Sequence, residues 1–272
     1  MPRYGIATLN HSPLHGSQTK LTSHLKAAGI QGIGAIAPDI FWLRKLEEEG
    51  LTPADVREQF DHHGRKCMEI AGIAIGDADS TAAELEEHVR WSKALGAEFV
   101  NARVTAPIDD ALVARARDCA EALAQVGTRL ALEFSRGTKL NSLSSARAFA
   151  EEIDVPGVGV TLDTWHFFLH PDGPEWDALE EIPADLLANV QLSDGVPYGE
   201  GEFADATMNR RRFPGEGEFD LKRASELLAA RGIDPPVVLE VLTSETRDMA
   251  VTVHTRDSAR SAIEVWGAIS PS

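Results

Sequence analysis

Apolar residues arrive along this chain in short, dense runs. They are YGIATLN (4–10), GIGAIA (32–37), GIAIG (72–76), EFVNARV (98–104), RLALEF (129–134), GVGVTLD (157–163), ANVQLSD (188–194) and PVVLEV (236–241). Each is apolar on both faces and bounded by Gly, Pro or polar residues, the pattern of parallel strands covered by helices. The intervening segments 53–71, 109–126, 141–152, 219–231 and 256–268 have helical periodicity. Thr81 with Glu84 reads as a capping box, and Leu85, Val89, Ser92 and Leu95 continue one face until Gly96 stops it. Eight strand–helix units, spaced by roughly thirty residues, predict a (β/α)8 TIM barrel of class α/β. One domain over residues 1–272 is expected, with a doubly wound sheet as the alternative. The barrel locates its active site at the C-terminal ends of its strands.

Composition narrows the partners. Hydrophobic residues make up 43% and charged residues 25%, ordinary values for a chain with a sizeable core. A net charge of −17 disfavours nucleic acid, whose phosphates require a basic footprint. No run approaches the roughly 18 apolar residues of a membrane span. The opening MPRYGIATLN moves straight into strand-like residues, so no signal peptide is expected. Cys67 and Cys119 are the only cysteines, both in segments that read as helical. A reduced cytoplasmic compartment with two buried thiols is the expectation.

The strand ends carry the candidate chemistry. The fifth run ends in Glu133, the sixth in Asp163, the seventh carries Gln191 and Asp194, and the eighth carries Glu240. A lone buried carboxylate is costly to keep ionised, and three converging on one mouth repel each other. A divalent cation resolves both problems. Taken singly, each residue has an ordinary explanation: an ion pair for a Glu, a helix cap for Asp163. The set, on four consecutive strands, points to a metal centre. In GVGVTLDTWHFFLH, His166 follows Asp163 by three residues, among Trp165, Phe167 and Phe168. These aromatics either wall a pocket or pack between helix and barrel.

The stretches LALEF, VTLDTWHFF, NVQLSDG, RRRFPGEGEFDL and VVLEV, within residues 129–241, resemble the xylose isomerase-like TIM barrels. That sugar isomerase/epimerase superfamily also contains tagatose/psicose 3-epimerases and 3-dehydroshikimate dehydratases. The first hundred residues match it only in their strand–helix rhythm. The resemblance implies Glu133, Asp163, Gln191 and Glu240 as metal ligands and Arg211 as a substrate contact. It puts His166 in or beside the substrate site; from their positions alone, Trp165 beside it and His11 at the end of the first strand are expected as further substrate neighbours. Sugar epimerases of the group usually carry a histidine where this chain has Gln191. The resulting all-oxygen set suits Mg²⁺ or Mn²⁺, with Co²⁺ compatible, better than Zn²⁺. VQLSD resembles the dehydratases, but GIAIGDADSTAA lacks the arginine-containing loop expected of them.

A cation on a substrate carbonyl eases removal of the neighbouring C–H proton. With Glu133 and Glu240 on opposite sides of the mouth, proton transfer between them gives isomerisation or epimerisation. That reaction, on a non-phosphorylated sugar or cyclic polyol ketone, is the first expectation, with Glu133, Glu240 and His166 catalytic. Expulsion of a β-hydroxyl with His166 as acid gives the alternative, a dehydratase-type lyase. A non-catalytic sugar-binding barrel is the third reading, and the retention of both glutamates argues against it. No lysine stands at a strand end for Schiff-base chemistry, since Lys139 lies beyond Glu133 in a loop. Neither a P-loop nor a dinucleotide fingerprint occurs. His62, His63, His88 and His254 read as surface residues, unlike a histidine-rich zinc endonuclease site. The expected partner is a small carbohydrate or cyclic keto compound, with no nucleic acid or membrane, and a homo-oligomer is compatible with all of this.

Overall fold

The computed structural model describes residues 3–267. Nine strands form one parallel sheet: β1 (Tyr4–Ala7), β2 (Ala35–Ala37), β3 (Lys66–Cys67), β4 (Glu69–Ile75), β5 (Phe99–Val104), β6 (Arg129–Glu133), β7 (Gly159–Asp163), β8 (Leu187–Leu192) and β9 (Val237–Leu239). Their order is β3-β2-β1-β9-β8-β7-β6-β5-β4. The two end strands are halves of one stave. Met68, between them, donates its N–H to Ile36 O on one side and offers its carbonyl to Phe99 N on the other. Joining them closes the ring with eight staves, as the strand pattern predicts. The doubly wound alternative is excluded.

Helices α1 (Leu21–Ile30), α2 (Ile40–Glu48), α3 (Pro53–His62), α4 (Ala78–Leu95), α5 (Asp110–Ala124) and α6 (Leu143–Ile153) cover the first half of the barrel. They are followed by the short α7 (Thr164–Phe168), α8 (Trp176–Glu181) and α9 (Phe203–Asn209), then α10 (Leu221–Ala230) and α11 (Val251–Val265). The main core lies between this layer and the outward faces of the strands. A second, smaller cluster, Ala7, Ala35, Ala37, Met68, Phe99, Ala131, Ala188 and Val238, plugs the barrel. Alanine dominates the plug because staves from all sides converge there and leave little room. No helix among the described residues is long and apolar enough to cross a membrane.

Several boundaries differ from the sequence pattern for identifiable reasons. The helix expected over 53–71 stops at His62, because Gly64 takes a positive φ and the chain turns into β3. Cys67 therefore lies on a strand, while Cys119 is helical, and both are buried. Thr81 and Glu84 do not cap α4, which begins earlier at Asp77. The Asp77 carboxylate accepts from the N–H groups of Asp79 and Ser80. Thr81 and Glu84 instead accept from Gly76 N and Ala74 N, tying α4 to the stave before it. The last helix starts at Val251, five residues earlier than its periodicity suggests, and Ala268 lies outside the described residues. His88 and His254 are buried, not surface residues: each sits on a helix face turned toward the barrel.

Candidate active site

Period-two alternation selects the side chains that enter the barrel mouth. On β5, Phe99 belongs to the plug, and Asn101 and Arg103 follow it on the same face. On β6 the sequence is Ala131 then Glu133, and on β9 it is Val238 followed by Glu240 just past the strand end. Residues of the plug thus become polar one step higher. Backbone register matches these positions across the staves: Glu133 pairs with Thr161, and Asp163 with Gln191. Above them lies a cavity of about 310 Å³, lined by Asn101, Arg103, Glu133, His166, Gln191, Arg211 and Glu240 together with Asp39, Ser135, Thr138, Thr207 and apolar residues.

Asp163 lies fully buried at the edge of this cavity and caps α7 by accepting from Trp165 N at 2.8 Å. The cap starts the short helix that aims His166 back at the mouth. His166 Nε2 then sits 3.4 Å from Glu133 Oε1 and 3.6 Å from Asp163 Oδ2. Ligating atoms of Glu133, Asp163 and His166 all lie within 4.8 Å of one another, close enough to hold a metal ion. Arg211, 3% exposed, bridges the remaining carboxylates. Its Nη2 is 3.0 Å from Asp163 Oδ2, and its Nη1 is 3.1 Å from Glu240 Oε2.

The FPGEGEF stretch explains how Arg211 is held. Arg210, Arg211 and Arg212 form a strand-like run: Arg211 N donates to Leu242 O, and Arg212 exchanges backbone bonds with Asp194. The Asp194 carboxylate then accepts from the N–H groups of Gly195, Gly215 and Phe219 at 2.7, 2.8 and 3.1 Å. Gly215 has φ +86°, and a Cβ on Gly217 would lie 2.1 Å from Asp194 Oδ1. Asp194 is therefore a loop organiser buried behind the site, and both glycines are required by the turn it holds.

Gln191 rests on a feature that the sequence pattern did not expose. Glu69, the first residue of β4, is fully enclosed and accepts from Asn189 Nδ2 and, at 3.0 Å, from Gln191 Nε2. Gln191 Oε1 is left buried without a hydrogen-bond partner. A buried acceptor of this kind ordinarily has a partner, and a cation beside Glu133 and Asp163 would supply one. The buried group of Glu133, Asp163 and His166 thus fits a divalent metal, and the Gln191 carbonyl is a further oxygen donor without a partner.

Burial and charge divide the carboxylates. Burial pushes Glu69 up to about 7 against the hydrogen bonds from Asn189 and Gln191. Burial also raises Glu240 well above the usual carboxylate range; Arg211 opposes this, and Asp163, Glu133 and Glu69 add to it. Burial pushes Glu133 the same way, but the His166 imidazole, with Arg103 and Arg211 farther off, brings it below its ordinary value. Two neighbouring glutamates are thereby given different proton affinities.

The remaining predicted residues have other places. Trp165 does not line the cavity; it supports Arg211, with the guanidinium carbon 5.7 Å from its ring, and donates to Thr207 Oγ1. Phe167 and Phe168 pack against Trp176 and Phe219, which makes them core residues. His11 also does not line the cavity. Its Nε2 is 3.2 Å from Thr246 O, and its ring packs against those of His24 and His254 in a buried cluster. The sequence reading missed Glu69, Asn101 and Arg103. Alternation in EFVNARV was the available signal for the latter two. Glu69 was concealed by assigning its segment to a helix.

Over 270 residues, 95% of this chain, the sequence is 24% identical to the 3-dehydroshikimate dehydratase of Pseudomonas aeruginosa. The chain covers 41% of that relative, less than half its length. The fold is that of the IOLI protein, a structure with a bound zinc atom, at TM-score 0.83 and 17% identity over 97% of this chain and 98% of the other. D-psicose 3-epimerase, crystallised in the presence of D-fructose, superposes at TM-score 0.71 and 17% identity over 98% and 100% of the two chains. A match to the family model over residues 23–268, together with this barrel and its ring of strand-end carboxylates, shows that the chain belongs to the xylose isomerase-like TIM barrel family.

Proposed function

We propose that this barrel is a metal-dependent dehydratase of a cyclic hydroxy-keto acid, with 3-dehydroshikimate as the model substrate. Arg103 carries the reading. It lines the cavity, yet it makes no hydrogen bond or ion pair among the described residues. An exposed guanidinium with no hydrogen bond of its own, felt by Glu133 only through its charge, is suited to a substrate carboxylate, which neutral sugars lack. GIAIGDADSTAA indeed brings no arginine to the mouth, but the neighbouring stave does. The identity to a curated dehydratase supports the same choice.

Glu133, Asp163, Gln191 and Glu240 would hold one divalent cation, with Mn²⁺ and Mg²⁺ favoured by the oxygen donors. When bound, the cation polarises the substrate ketone and makes the adjacent C–H more acidic. Arg103 orients the ring through its carboxylate. Glu240, at the mouth beside Arg211, removes the proton from the carbon next to the ketone. The C–O bond to the neighbouring β-hydroxyl breaks, and His166, beside Glu133, supplies the proton that releases it as water. Loss of one more ring proton and enolisation of the ketone give an aromatic catechol acid.

Isomerisation or epimerisation of a neutral ketose is the second reading. It is favoured by Glu133 and Glu240 standing three staves apart round one mouth, able to address two sides of a ring. Arg103 separates the two. Arg103→Ala should raise KM for 3-dehydroshikimate with a smaller effect on kcat, and Arg103→Lys should recover part of the loss. An unchanged KM would remove the main support for an acidic substrate.

A further inference from the structure

Glu69 sits below the proposed metal ligands and is bonded to one of them, Gln191. Thr161 Oγ1 donates to Asn189 Oδ1 at 2.7 Å, and the Asn189 amide nitrogen donates to Glu69 Oε2. That leaves Glu69 Oε1 facing Gln191, and the ionised carboxylate accepts there from an N–H donor. Gln191 must present its nitrogen to Glu69 and its oxygen to the cavity. With the amide reversed, two oxygens would face each other in a site closed to water, and a donor would point at the cation.

We infer that Glu69 is a positioning residue that fixes the Gln191 amide with its oxygen toward the metal and selects a neutral ligand on that stave. The inference rests on the metal reading above. A carboxylate in place of Gln191 would lie against Glu69 without a proton or cation between them. A glutamine paired with Glu69 avoids this and still offers an oxygen. Glu69 itself need not touch the cation.

Two measurements test this, one with metal and one without. In Mn²⁺ titrations, Glu69→Gln should weaken binding roughly 10- to 100-fold, the usual cost of losing a residue that orients a ligand. Its new amide has a single oxygen for two facing N–H donors, so the Gln191 amide loses the carboxylate that fixes its direction. The second measurement is a stability cycle on metal-free protein. Gln191→Glu alone should lower the melting temperature, whereas in the Glu69→Gln background it should raise it. In the exchanged pair every donor meets an acceptor again, and Mn²⁺ binding should recover. Unchanged Mn²⁺ affinity in Glu69→Gln would overturn the inference. An exchanged pair no more stable than Gln191→Glu alone would do the same. If the unaltered protein binds no divalent metal, the metal reading falls, and the stability cycle still decides whether Glu69 orients Gln191.

Discussion

Glu240 and Glu133 are the same residue type in the same mouth, but their neighbours differ. Glu133 has the His166 imidazole beside it, while Glu240 depends on Arg211, which it shares with Asp163. The difference supports the proton-accepting role proposed for Glu240. Glu240→Gln should keep much of the metal affinity, because an amide oxygen still ligates, and should lose turnover by roughly 10²- to 10⁴-fold. Metal titration beside steady-state kinetics checks this; near wild-type kcat would move the base to Glu133 or His166. At this scale the sequence was most informative where a carboxylate broke an apolar run, as in LALEF, VTLD and VVLEV. It was least informative where a residue's role depends on partners distant in the chain. Glu69 meets Asn189 across 120 positions, and His11 meets His254 on the last helix.

Elements deliver these residues, and the loop from Phe213 to Phe219 shows how. Three backbone N–H groups converge on Asp194, which leaves no space for a side chain at position 217. Gly217→Ala should expel the Asp194 carboxylate from its donors and cost about 1–3 kcal/mol, the range for buried polar groups left unsatisfied. Activity should fall further than stability, because Arg211 is anchored on the adjoining run. Denaturation midpoints with kcat/KM measure both, and a variant unchanged in either would contradict the role given to this loop. The repeat of strands and helices was legible because apolar runs on both faces are distinctive. Boundaries were less so. The third stave carries Gly72 at φ +115° and a bulge between Ile70 and Ile73, and only its second half resembles a strand.

For the whole molecule, the barrel wall between α1 and α11 encloses an unusual polar feature. His11, His24 and His254 are buried together, and several of their ring nitrogens have no partner. Burial lowers the proton affinity of all three: His254 to about 3, His24 well below its ordinary 6.5, and His11 in the same direction. The charged groups acting on them are Arg247 and Asp248 at His11 and Asp257 at His254. Below pH 6.5 the unfolded chain takes up protons that the folded cluster refuses. The stability present above pH 6.5 is therefore lost progressively as pH falls toward 3, at up to about 1.4 kcal/mol per pH unit for each histidine. Urea midpoints between pH 7.5 and 4.5 should fall more steeply for the wild type than for His24→Phe. Parallel curves would mean that the cluster is not held neutral.

The proposed reaction at this mouth is dehydration of a carboxylated cyclic ketone. Mn²⁺-loaded protein incubated with 3-dehydroshikimate, and separately with a ketohexose, both in deuterated water, tests it most directly. The expected result is metal-dependent release of an aromatic catechol acid, with no deuterium entering the sugar. Deuterium next to the carbonyl of the ketose, with no aromatic product from 3-dehydroshikimate, would contradict it and leave the isomerase reading in its place.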